Sequence, residues 1–170
     1  MKVSSLLSFL VLSLLIIACS SKKDESELYN SAKKSLENQK YYEALVTYNE
    51  LLNDYPNGTH AAETIFELGK LNHGKVDTTL NEMQSFEKAV TFYTKLQKDY
   101  PEYEKSSEAL FMASFVLANE IKDLERAEAS YNLFIEKYPN SELVESAKIE
   151  LENLGVAPEE ILRKKVATDN

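Results

Sequence analysis

Over Tyr41, Ala44, Leu45, Tyr48, Leu51, Leu52 and Tyr55 the apolar positions fall at three- and four-residue spacing, which predicts an amphipathic helix. Pro56 ends it, because the residue before a proline is pushed out of the α region. The pattern Ala-x3-Tyr-x6-Tyr-Pro then recurs, at Ala44/Tyr48/Tyr55-Pro56, Ala89/Tyr93/Tyr100-Pro101 and Ala127/Tyr131/Tyr138-Pro139. In a chain with 4 prolines, this shared register marks an internal repeat and predicts one proline-ended helix per copy. The alanines fit a close helix crossing, and the tyrosines can bury their rings while keeping the hydroxyl near water.

Each of these helices needs a partner. Twelve residues before Ala44, Ala32 sits in a second apolar pattern with Leu28 and Leu36. The second partner helix is expected over Ala62–His73 with Gly74 as its stop, and the third from about Ser107 to Asn119, followed by a helix from Leu124 to Tyr138. The repeat alanines are 45 and then 38 residues apart, so the longer interval predicts a loop of about Gly74 to Thr78 and extra turns in the next helix. Thr79-Leu80-Asn81-Glu82 has the form of a capping box for that helix. A last helix, Glu142 to Leu154, carries Val144, Ala147, Leu151 and Leu154 on one face.

The arrangement resembles the tetratricopeptide repeat (TPR), whose second helix carries a small residue, an aromatic four later and a proline twelve later. Leu28, Ile65 and Leu110 stand where the family has its usual Trp. Ala32, Gly69 and Ser114 stand at its close-packing site, Ser114 only if one residue is inserted in the loop near Ile121. The resemblance implies an all-α, right-handed α-solenoid of three helix pairs, at about 27–60, 61–106 and 107–141, capped by a helix over 142–154. Its general activity is to hold peptides or partner domains.

The N-terminus adds a location. One lysine, Lys2, precedes an apolar run from Leu6 to Ile17 broken only by Ser8 and Ser13, then Ala18-Cys19. Twelve helical residues span roughly 18 Å, short of the roughly 30 Å bilayer core, so residues 1–18 read as an export signal. Ile16-Ile17-Ala18-Cys19 resembles the bacterial lipobox, with Ile where Leu is usual, which implies lipidation of Cys19 and removal of what precedes it. Cys19 is the only cysteine, so the processed chain would hold no disulfide and rest on packing alone. Residues 19–26 are expected to act as a flexible tether, Ser20 to Glu27 being polar throughout. Ser20 and Ser21 after the cysteine favour the outer membrane by resemblance, with the domain expected to face the periplasm.

Loss of residues 1–18 removes one lysine from 19 basic residues against 28 acidic ones and leaves a formal charge of −10, which argues against nucleic acid. His60 and His73 stand 13 residues apart in no ligand-type pairing. Metalloprotease, nucleophile-elbow and phosphate-loop motifs are absent, so no catalytic residue, cofactor, metal or small-molecule substrate is expected. The expected partners are other envelope proteins or peptide segments, with the membrane reached through the N-terminal lipid.

In the repeat family the first helix of each pair lines the binding face. The residues after Leu28, Ile65 and Leu110 are Tyr29, Phe66 and Phe111, and four further on come Lys33, Lys70 and Phe115. Two readings are open: an aromatic stripe edged by lysines that grips an apolar and acidic segment, or rings that pack against the neighbouring pair as core. A repeat domain with a lipobox and Tyr-Pro-Asn turns resembles the BamD-like lipoproteins of outer-membrane barrel assembly and the YbgF/CpoB-type partners of Tol–Pal. This chain has three repeats where the BamD-like ones have about five, and it lacks the coiled coil of the YbgF type. The tail, 155–170, begins with Ala157-Pro158-Glu159-Glu160, which predicts a short helix through Lys165.

Overall fold

The computed structural model describes residues 22–157, 159, 160 and 163. Among them the structure is wholly helical: α1 (Glu25–Glu37), α2 (Tyr41–Asp54), α3 (Ala61–His73), α4 (Glu82–Asp99), α5 (Ser106–Val116), α6 (Leu124–Lys137) and α7 (Val144–Glu152). α1 packs with α2, α3 with α4 and α5 with α6, and each pair lies on the next through α2 against α3, α4 against α5 and α6 against α7. This is the expected TPR-like α-solenoid.

The Tyr-Pro turns show why one short pattern builds it. Tyr55, Tyr100 and Tyr138 each leave the helix at nearly the same backbone angles, φ −133°, −135° and −125° with ψ 61°, 58° and 55°. In every copy two successive turns follow in one register, from Tyr55 O to Gly58 N to Ala61 N, Tyr100 O to Tyr103 N to Ser106 N, and Tyr138 O to Ser141 N to Val144 N. The tyrosine hydroxyls then tie one repeat to the one before it: Tyr100 donates to Pro56 O and Tyr138 to Pro101 O, both at 3.3 Å. Where no earlier repeat exists, Tyr55 donates instead to Lys23 O at 2.8 Å.

That last bond changes the expected tether. The polar run Ser20 to Glu27 was expected to be flexible throughout, yet α1 begins at Glu25, with the Asp24 carboxylate accepting from the Glu27 amide. Lys22 donates to Asp54 O at 2.9 Å and lies 4.3 Å from the Tyr55 ring centre, so residues 22 and 23 are held to the first turn. Glu25 also accepts from the His60 amide at 2.7 Å, closing one open donor at the start of α3.

Inside the pairs, the second-helix alanines and tyrosines are buried: Ala44, Tyr48, Ala89, Tyr93, Ala127 and Tyr131 are exposed by 1% at most. Leu28, Ile65 and Leu110 are equally buried beneath them. A β-carbon added at Gly69 would lie 2.6 Å from the Tyr93 ring, so α3 and α4 approach as closely as they do only because no side chain stands there. At the corresponding place in the third pair, Ser114 donates to Ser130 Oγ at 2.7 Å.

The interval from Ala32 to Tyr48 is 16 residues, and from Ser114 to Tyr131 it is 17. The extra residue is taken up in a π-helical turn, Leu117–Ile121, continuous with α5 and ended by Lys122 at φ 63°. An insertion expected in a loop thus widens the helix itself, a common way to absorb one residue without losing register. In the second pair, Gly74 caps α3 but Lys75 takes the left-handed conformation, at φ 55°. The capping box is displaced from Thr79 and Glu82 to Asn81 and Gln84, which exchange bonds of 2.9 and 3.0 Å. Thr79 instead gives its amide and hydroxyl to Asp77.

α7 is shorter at both ends than the expected 142–154 and follows the register of a first helix without a second. Val144 and Ala147 are buried as Ala61 and Thr64 are. Lys148 and Glu152 stand nine and thirteen residues after Pro139, where Ile65 and Gly69 follow Pro56. Charge there leaves no apolar seat for another helix, which makes α7 a cap.

Cys19, the export signal 1–18 and Ser20 lie outside the described residues, as does Lys165. In the tail, residues 159, 160 and 163 are helical. Among the described residues no helix is long and apolar enough to cross a membrane.

Candidate protein-binding face

α1, α3 and α5, the first helices of the three pairs, carry the six residues singled out from the sequence. Tyr29 and Phe66 are 9% and 6% exposed, whereas Phe111 and Phe115 are half-buried. Phe111 meets Tyr131 and Phe134 edge-on, at 5.9 and 5.7 Å between ring centres, so much of its surface packs on α6. Tyr29 stacks flat on His60, 3.8 Å between centres and 7° between planes, which joins α1 to the start of α3.

Lys33 and Lys70 are exposed, each with its ammonium over the aromatic one turn earlier: 5.3 Å from the Tyr29 ring centre and 5.6 Å from that of Phe66. Lys70 is also paired with Glu67 at 2.9 Å. One of the two lysines expected to edge the stripe therefore already has a carboxylate of its own helix.

Carboxylates are the part of this face that sequence reading missed. Glu63 and Glu67, both half-buried on α3, lie among phenols from four other segments. Burial pushes the Tyr29 hydroxyl up, and the neighbouring Glu63 carboxylate pushes it further. Burial also raises Tyr48 on α2, with Glu67 and Glu63 adding to it. Tyr103, in the turn before α5, is pushed up to about 12 by burial and then by Glu63. Tyr93 on α4 is raised by burial, then by Glu108 and Glu67. The common cause is negative charge beside phenols partly out of water, which disfavours a second anion. Tyr48 adds a further feature: its hydroxyl is fully buried and has no hydrogen-bond partner.

Beside this cluster, a cavity of about 400 Å³ opens between the end of α1 and α3, lined by Leu36, Tyr41, Leu71 and Val76 together with Glu67 and Lys70. Its walls are mainly apolar, and Tyr41 at its edge is 49% exposed. Among the described residues no group of three or more His, Cys, Asp or Glu is placed to hold a metal ion. The face offers shape, rings and charge, the means of gripping a protein segment.

Residues 21–157 match the model of the YfiO family, described as outer membrane lipoprotein. No curated protein matches the chain.

Proposed function

The chain belongs to the YfiO family of outer membrane lipoproteins, and from that premise we propose that it is a lipid-anchored scaffold for protein–protein contacts in outer-membrane protein assembly. The observation that carries the proposal is the extent of the match, which takes in all three repeats and the cap and not one helix pair alone. Its anchor would be Cys19, with the domain from residue 27 to 154 standing on the periplasmic side. The working surface would be the first-helix face around Tyr29, Lys33, Phe66, Lys70, Phe111 and Phe115. Such a face needs no reacting group: holding a segment in one orientation is itself the activity.

The test is affinity purification of the full chain from detergent-solubilised membranes. Recovery of barrel-assembly components is the expected result. Recovery of Tol–Pal or cell-wall synthesis proteins in their place would move the chain to the other envelope role, and recovery of neither would overturn both.

A further inference from the structure

We propose that the cavity beside α7 is the seat of the chain's own C-terminal segment, residues 158–166, which folds back on it with Ile161, Leu162 and Val166 turned inward. The inference goes beyond the scaffold reading and does not depend on it.

The cavity, of about 630 Å³, opens between the π-helical turn, the start of α6 and the end of α7. Its apolar walls are Leu124, Ile149, Leu154 and Val156, of which Leu124 and Ile149 are 41% and 58% exposed. It lies on the other flank of α7 from Lys148 and Glu152, since Ile149, Glu150 and Asn153 share one side of that helix. Leu124 stands three residues before its repeat alanine, as Phe86 does, and Phe86 is only 7% exposed. This is a core position where the stack continues over it, and at Leu124 it lacks a full cover among the described residues.

The path of the chain after α7 identifies the cover. Gln39, Lys75 and Lys122, all at positive φ, follow the first helices of the three pairs, and the second helix comes next each time. Gly155, at φ 76°, follows α7 in the same way. A β-carbon there would lie 2.9 Å from Leu124 Cδ1, so the chain turns directly over the apolar wall at a position that suits glycine. Val156 and Ala157 then line the cavity, Ala157 O accepts from the Glu160 amide at 2.9 Å, and residues 159, 160 and 163 are helical. Ile161 and Leu162 follow Ala157 within about 8 Å of helix rise.

That helix has two sides in its sequence. At four-residue spacing Glu159 and Glu160 fall with Arg163 and Lys164, while Ile161 and Leu162 fall with Lys165 and Val166. Glu159, Glu160 and Arg163 are exposed, which leaves the apolar side for packing; Ile161, Leu162, Lys165 and Val166 themselves lie outside the described residues. A helix this short is marginal in water unless packing holds it. The cavity supplies the packing, and Glu150 in its wall gives Lys165, the one charge on the inward side, a counter-charge.

The experiment is hydrogen exchange, read by mass spectrometry, on the full lipidated chain in non-ionic detergent. Amides of residues 161–166 should exchange roughly tenfold or more slowly than in a free peptide of residues 158–170. Leu124→Ser with Ile149→Ser, both exposed in the structure, should return them to nearly the free-peptide rate and leave α1 to α4 unchanged. Met83→Ser, which removes an exposed apolar side chain at the start of α4, should leave the segment protected. In the reciprocal variant, Ile161→Ser with Leu162→Ser, exchange should quicken at residues 153–157, which guards against reading a misfolded cavity variant as support. Free-peptide rates in the unaltered chain, or protection that survives the cavity variant, would overturn the proposal. So would protection that falls on dilution, which would place the segment on a second copy.

Discussion

Single residues carry this fold in two ways, through what is absent and through what is kept neutral. Gly69 is defined by absence, since the Tyr93 ring fills the space of its side chain. Gly69→Val should destabilise the protein by about 1–3 kcal/mol, because a branched side chain would have to push α3 from α4. Gly74→Ala is the contrast: its added carbon meets nothing closer than 3.4 Å and its φ is −71°, so no loss is expected. Urea denaturation of the two variants checks both. The buried tyrosines are the neutral groups. Their hydroxyls ionise at higher pH in the folded chain than the ordinary 10.0, so the folded state holds protons that the unfolded chain has lost. Stability should be fully present below about pH 10 and fall as pH rises toward the value of about 12 for Tyr103 and beyond it for the others. A urea midpoint flat from pH 8 to 9 and dropping above 10, alongside a delayed tyrosinate absorbance, is the expected result.

At the scale of elements, the sequence showed most where a helix ends by covalent necessity. Proline restricts its predecessor whatever surrounds it, so three helix ends, their tyrosines and the pairing of helices could be read directly. Boundaries set by competition between neighbours could not. Thr79 and Asn81 both suit an N-cap, and the choice fell to Asn81 once Thr79 was taken up by Asp77. Asn81→Ala should therefore cost about 1 kcal/mol, whereas Thr79→Ala should cost distinctly less. Chemical denaturation of the pair measures it; a larger loss at Thr79 would mean that the cap sits at the earlier position. The added residue near Ile121 was legible as a change of spacing, but spacing alone does not say whether a loop or a helix absorbs it. The π-helical turn does so here because α5 and α6 are already fixed by packing on both sides.

At the scale of the whole molecule, stacking brings together groups that no sequence period relates. Tyr29, Glu63 and Tyr103 come from three different segments, and along the chain Glu63 and Glu67 look like ordinary solvated acids. The aromatic positions could be read because they repeat; the carboxylates beside them could not, because only the second pair has this combination. Attachment to the membrane is a whole-molecule property too. Cys19→Ala should move the protein from the membrane pellet to the soluble fraction after cell lysis, and its continued sedimentation with membranes would refute the lipid anchor.

The clasp of Lys22 and Lys23 on the Tyr55 turn bears on how such a molecule stands at a surface. From Cys19 to Lys22 is three residues, a reach of about 10 Å fully extended. With acyl chains on Cys19, the first repeat would be moored on a short line at headgroup height, and the stack could neither drift far from the bilayer nor turn over freely. A partner that engages the first repeat would then meet it close to the membrane surface.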